Sequence, residues 1–275
     1  MNIGGFIDSH LGDMWKPLPD ERKIHYIRAI SHVIESYVND RCYRDLQRKT
    51  YNSAVTDFRI KFKQEVIAKS GLFVSKKRYS LWHIDEEGAP VDYIKNTGLE
   101  IVRSETPEFV RPRLIKIVKA ILQGSTKEDL TKLIGTLRGE LLHTLPEEIA
   151  VNIGVSDPEK YVGRDGRATK GAPWHVKGVI NYRMMLKVLK LDNQYQDIMA
   201  GSKMKVVYVK KNQYDVEAIS FMRWPKEFDK VFTIDRPKLI SKYFDEKVDS
   251  LLDPMGWKGL VSKEEKANLD LFFGE

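Results

Sequence analysis

Cysteine is almost absent: Cys42 is the only one in 275 residues, which excludes an internal disulfide framework and any thiolate-rich metal site. Position 42 reads as a packing residue on a helix face. Long apolar runs are missing as well, none approaching the roughly 18 residues of a membrane span. The N-terminal stretch has no signal-peptide pattern, so the expectation is a soluble, intracellular, cytoplasmic protein. Catalytic templates fail one after another. Gly166 to Gly171 has the spacing of a phosphate loop, but Ala172-Pro173 stands where Lys-Ser/Thr is needed. His10, His25, His32, His83, His143 and His175 form no close metal-binding pair, and no nucleophile motif is present. Asp57 and Glu65 could belong to a metal nuclease, but no lysine follows Glu65 at the second position.

What is present is positive charge. The formal net charge is +7, which favours an anionic partner, nucleic acid first and an anionic membrane surface second. With 42% hydrophobic residues the chain has enough apolar material for a core, so this is no disordered basic arm. The cations concentrate: seven Lys or Arg fall between Arg59 and Arg78, against one acid, Glu65. Two strand-like runs, 62–67 and 72–74, are separated by Lys69-Ser70-Gly71, which reads as a turn. The second run leads into Lys76-Lys77-Arg78-Tyr79. Cations held on strands suit a phosphate backbone; lysines that protect a sheet edge from aggregation would give the same pattern.

In chain order, a short helix is expected around 7–15. Ile24, Ile27, Ile30, Ile34, Tyr37, Val38 and Leu46 then recur at helical spacing and predict one long amphipathic helix over 21–50, capped by Asp20. After the basic strands come a strand over 94–102, helices near 108–122 and 126–142, and a glycine-rich basic loop, 163–178, leading into a helix over 179–189. A strand over 203–211 pairs with 218–221, and 234–252 is a final helix. The predicted class is α+β. No internal repeat or low-complexity tract is visible.

Several of these segments resemble family B DNA polymerases, and they do so in that family's order over roughly residues 60 to 275. Lys63-Gln64-Glu65-Val66-Ile67 with Phe73 to Tyr79 is similar to the palm segment after the metal-binding Asp-Thr-Asp motif, Lys76 to Tyr79 resembling the Lys-x-Tyr element that holds duplex. Ile94 to Glu100, then Ser104 to Pro107, resembles the next palm strand, where Lys95 stands for a minor-groove lysine. Trp174 to Arg183 resembles the thumb motif of the tailed-phage replicative members. Glu264 to Gly274 resembles their C-terminal sliding-clamp peptide. The fingers motif and the aspartate turn are absent, so the chain looks like the C-terminal piece of a split polymerase, or a chain cut short.

The resemblance implies a small antiparallel palm sheet with a long helix (1–107), a mostly helical thumb with a β-hairpin tip (108–262) and a clamp-binding tail (263–275). It implies contacts to primer-template duplex DNA from Lys76, Lys77, Arg78, Tyr79, Lys95, Arg167, Lys170, His175, Lys177, Tyr182 and Arg183. Leu269, Leu271, Phe272 and Phe273 would bind the sliding clamp. Mg2+ would be held mainly by an N-terminal polymerase chain that carries exonuclease, fingers and Asp-Thr-Asp, with Glu65 supporting the site; Glu65 could equally pair with Lys63 or Lys76. The alternative for Tyr79 is a half-buried strand aromatic, and for 163–178 a solvated loop. A non-catalytic DNA-binding replication accessory protein is the other reading of the same basic surface.

Overall fold

The computed structural model describes residues 12–15, 17–50, 60–103, 106–257 and 259. The fold is α+β, with two three-stranded antiparallel sheets. The chain divides into two compact units: Met1–Leu72 with Ser80–Lys95, and Phe73–Tyr79 with Asn96–Glu275. The expected helix around 7–15 falls largely outside the described residues, of which Gly12–Met14 form a short 3-10 turn.

In the first unit, helix α1 (Asp20–Tyr37) starts where Pro19 fixes φ at −58° and Asp20 and Glu21 place acid at the positive end of the helix dipole. A π-helical turn, Val38–Cys42, carries it into α2 (Tyr43–Thr50). The turn has a local use: Asn39 donates to the Phe62 carbonyl and accepts from the Phe62 amide, both at 2.8 Å. The predicted helix over 21–50 is therefore present. Cys42 is exposed on it, not packed, and so are Tyr26, Val33, Tyr37 and Leu46.

The first sheet has the order β1 (Val66–Ser75), β2 (Arg78–Glu86), β3 (Ala89–Thr97). The turn expected at Lys69-Ser70-Gly71 does not occur. Exposure alternates without a break from position 68 to 75, and Gly71 falls on the exposed side, where a missing side chain costs no core packing. Lys69 is held there by Asp20 at 2.7 Å and by the Trp82 ring, 5.6 Å away. The chain reverses instead at Lys76-Lys77, so these two lysines stand on a turn between strands. Buried Asp85 accepts from Arg28 and from Gln64, the latter at 2.8 Å, and burial notwithstanding, these donors and the Gly88 amide hold its carboxyl below the usual range.

In the second unit the strand predicted over 94–102 stops at Thr97; Gly98 at φ +61° turns the chain into a 3-10 turn, Glu100–Val102. Helix α3 (Arg111–Leu122) begins later than the expected 108 because Pro112 fits only the first helical positions. Helix α4 (Lys127–Leu142) opens with a capping box between Thr126 and Asp129. A short α5 (Pro146–Ile149) and a strand the sequence reading did not see, β4 (Val151–Gly154), follow. Strands β5 (Lys203–Tyr208) and β6 (Ala218–Phe221) pair as expected, Val206 opposite Ser220, and β4 joins on the other side of β5.

Helix α6 (Trp174–Val188) covers this sheet. It packs so close to β6 that a Cβ added at Gly178 would lie 2.8 Å from the Ser220 backbone nitrogen. Ser220 also donates its hydroxyl to the His175 carbonyl at 2.8 Å. All four residues of β6 are buried, and Phe221, Trp224, Phe228 and Phe232 continue the core as a chain of edge-on rings. Helices α7 (Arg236–Ile240) and α8 (Glu246–Leu252), joined by the π-helical turn Ser241–Asp245, form the predicted 234–252 segment. Within it Asp245 makes a buried ion pair with Arg138 of α4 at 3.4 Å.

Candidate nucleic-acid interface

Two features of the second unit present cations on rigid supports. The first is the β1–β2 turn. Lys77 takes φ 61°, a left-handed conformation uncommon for a residue with a side chain. Two neighbours hold it. Gly98 lets its backbone approach so closely that an added Cβ would overlap the Lys77 carbonyl oxygen and lie 3.3 Å from its carbon. Arg78, the next residue, donates to the buried Glu100 carboxylate and, at 3.1 Å, to the hydroxyl of Ser250 in α8. Lys76 and Lys77 are exposed on this anchored turn, so their spacing is set by the fold. Tyr79 is half-buried against Phe73, with ring centroids 5.9 Å apart.

The second feature lies around the start of α6. The loop of residues 163–172 is ordered by its own hydrogen bonds: the Gly163 amide donates to Arg167, the Gly166 amide to Gly163, and Asp165 accepts from the Arg167 amide. Those glycine amides are therefore engaged internally, and the loop presents the exposed side chains of Arg164, Arg167 and Lys170. Trp174 to Gly178, expected as the end of this loop, is the first turn of α6. The Trp174 ring stacks on Tyr208 of β5, centroids 4.4 Å apart and planes at 20°. Lys238 lies over Tyr208 at 4.4 Å, and Lys242 lies 5.4 Å from both rings and donates to the Tyr208 hydroxyl at 2.9 Å. The result is an aromatic patch overlaid by two ammonium groups that keep donors to spare.

Beside this patch a cleft of about 300 Å³ opens, lined by Arg167, Trp174, Lys177, Tyr214, Asp215 and Glu217 among others. His175 is half-buried and held below the usual imidazole range by burial.

Three predicted contact residues are spent inside the molecule: Arg78, on Glu100 and Ser250 as described above, Tyr182 and Arg183. Tyr182 is buried, its hydroxyl donates to the Gln196 carbonyl at 3.1 Å, and burial first, then Asp197 and Tyr195, pushes it up to about 12. Arg183 donates to Asp197 at 2.7 Å, to Glu159 at 2.5 Å and to the Ile198 carbonyl at 2.8 Å. These bonds tie α6 to the 197–198 and 159 segments; both residues stabilise the unit and do not face an outside ligand.

Lys95 is exposed on β3 and groups with the first unit, as does Glu65. Lys63 pairs with Glu87 at 2.5 Å, not with Glu65, which remains exposed. Among the described residues no group of three or more His, Cys, Asp or Glu is placed to hold a metal ion, so Glu65 has no carboxylate set around it there. The tail residues Leu269, Leu271, Phe272 and Phe273 lie outside the described residues. Among the described residues no helix is long and apolar enough to cross a membrane.

The sequence reading missed Tyr208, Lys238 and Lys242 as members of the site. Lys238 and Lys242 are four apart on a predicted helix, hence on one face, and that spacing was the available signal. Compared with known proteins, the chain matches no family model and no curated sequence.

Proposed function

We propose that this chain grips double-stranded DNA without regard to sequence, as the C-terminal palm-and-thumb part of a family B DNA polymerase whose catalytic aspartates and Mg2+ reside on a separate N-terminal chain. The observation that carries the reading is the anchored lysine turn. Lys76 and Lys77 project from a β-turn that Arg78, Glu100, Ser250 and Gly98 fix in place, which suits contacts to a regularly spaced phosphate backbone. The aromatic patch with Lys238 and Lys242, and the exposed Arg164, Arg167 and Lys170, add a second set of phosphate donors. Minor-groove acceptors are present on every base pair, so lysines that reach them test shape and tolerate any sequence.

In this reading the chain alone extends no primer, because phosphoryl transfer uses a pair of metal-binding aspartates and the Asp-Thr-Asp motif that would carry them does not occur in the sequence. The segment from Leu269 to Phe273 tethers the enzyme to a ring-shaped clamp by seating apolar side chains in a groove. The test is primer extension by the purified chain, alone and mixed with an N-terminal polymerase chain ending in Asp-Thr-Asp-Ser. Synthesis only in the mixture, stimulated by clamp and losing that stimulation when Leu269–Glu275 are deleted, is expected. Synthesis by the single chain refutes the division of labour, and duplex binding without synthesis in any mixture favours an accessory protein.

A further inference from the structure

The cleft beside the Trp174–Tyr208 stack is lined by side chains of both charges that do not neutralise one another. Arg167 and Lys177 lie on the 163–178 side, Asp215 and Glu217 on the β5–β6 connection. Among the described residues none of the four side chains has an ion-pair partner, whereas Arg183, on the same helix as Lys177, is saturated by two carboxylates. Three rings, Trp174, Tyr208 and Tyr214, also line the cleft, and Tyr214 is braced by Phe232 at 6.1 Å. Asp215 is held in place by its backbone: φ is 57°, a conformation Asp and Asn accept better than most residues, and Asn212 accepts from the Tyr214 and Val216 amides on either side.

A ligand that complements this cleft carries a flat ring, an anionic group and hydrogen-bond donors on the edge of the ring. The volume of about 300 Å³ is at the small end for ligand pockets, enough for a nucleotide and too little for a base pair with its backbones. We propose that the cleft takes one unpaired nucleotide of a DNA strand, the base against Trp174 and Tyr214, its phosphate on Arg167 and Lys177, and its amino edge on Asp215 and Glu217. The inference rests on reading this surface as DNA-binding and adds a strand-end function to it. The donor edge of a base faces its partner in duplex and is free only when unpaired, so the carboxylates select against paired DNA. Guanine, with two parallel N–H donors on that edge, suits a carboxylate best, and thymine least.

The experiment uses the full chain and three probes: a blunt duplex, the same duplex with a single unpaired dG or dT at one end, and free dGMP followed by tryptophan fluorescence. The dG overhang is expected to bind about tenfold tighter than the blunt duplex, a typical gain for one stacked base, with dT gaining less and dGMP saturating. Asp215→Asn keeps the backbone preference at φ 57° and, like Glu217→Gln, should reduce the dG advantage to about twofold while leaving blunt-duplex affinity and melting temperature unchanged. If blunt duplex binds and neither the overhang nor dGMP adds anything, the nucleotide pocket is refuted and the duplex reading survives. If dGMP saturates in an Asp215-dependent way but blunt duplex does not bind, the pocket stands and the duplex reading falls.

Discussion

Replacing Gly98 by alanine separates the two roles a left-handed glycine can have. Gly98 (φ +61°) and Gly124 (φ +80°) lie in the same unit, and both lose conformational compatibility when a Cβ is added, a cost of about 1 to 2 kcal/mol each. They differ in surroundings. Nothing lies within 4 Å of a Cβ at Gly124, while one at Gly98 would overlap the Lys77 carbonyl oxygen, a backbone atom that cannot rotate away. Relieving that overlap requires shifting either the turn or the 98–102 segment, at an overpacking cost of about 1 to 3 kcal/mol. Gly98→Ala should thus lose about 2 to 5 kcal/mol and Gly124→Ala about 1 to 2 kcal/mol. Because the shift moves the lysine turn, Gly98→Ala should also weaken duplex DNA binding several-fold, whereas Gly124→Ala leaves it alone. Urea unfolding followed by circular dichroism, with DNA anisotropy on the same samples, reads both effects. Equal stability losses, or a Gly98→Ala protein with unchanged DNA affinity, would refute the claim that this glycine seats the turn.

Lys76→Ala with Lys77→Ala should weaken all duplexes alike and flatten the salt dependence of log K by about 2, since each phosphate contact contributes a slope of about 0.9; a loss confined to one DNA sequence would argue for base readout. Asp245→Ala removes a carboxylate partner of Arg138, whose side chain is 2% exposed, and should cost up to about 3 to 5 kcal/mol in urea unfolding, while replacing both residues by apolar ones should recover much of that. Buried His83, and half-buried His175, are held below the imidazole value of about 6.5, by burial in both cases and also by Lys95 for His83. The unfolded chain therefore binds more protons, and stability should fall as pH drops from about 7.5 through 6.5 towards the lowered folded-state values. His83→Gln should make that slope shallower, and an unchanged slope would show that His83 titrates normally.

The local rules of the chain are legible in its sequence. Helical spacing of Ile24 to Leu46 announced the long helix, capping chemistry announced α4, and the 203–211 and 218–221 runs announced their pairing, because periodicity and caps act between residues close in sequence. The α+β class follows from the same signals. Where a feature depends on residues far apart, local signals misled. Lys69-Ser70-Gly71 has the composition of a turn, yet Asp20 and Trp82 hold Lys69 in a strand, and the reversal moved to Lys76-Lys77, where Gly98 leaves room for it. Tyr182 and Arg183 fitted a motif, but only the fold revealed that Gln196, Asp197 and Glu159 consume them. The stack of Trp174 on Tyr208 under Lys242 joins three segments that packing alone brings together. Sequence fixed which side chains carry charge and rings; tertiary contacts decided which of them are left free, since a hydrogen bond or an ion pair, once satisfied inside the molecule, is no longer available to a ligand.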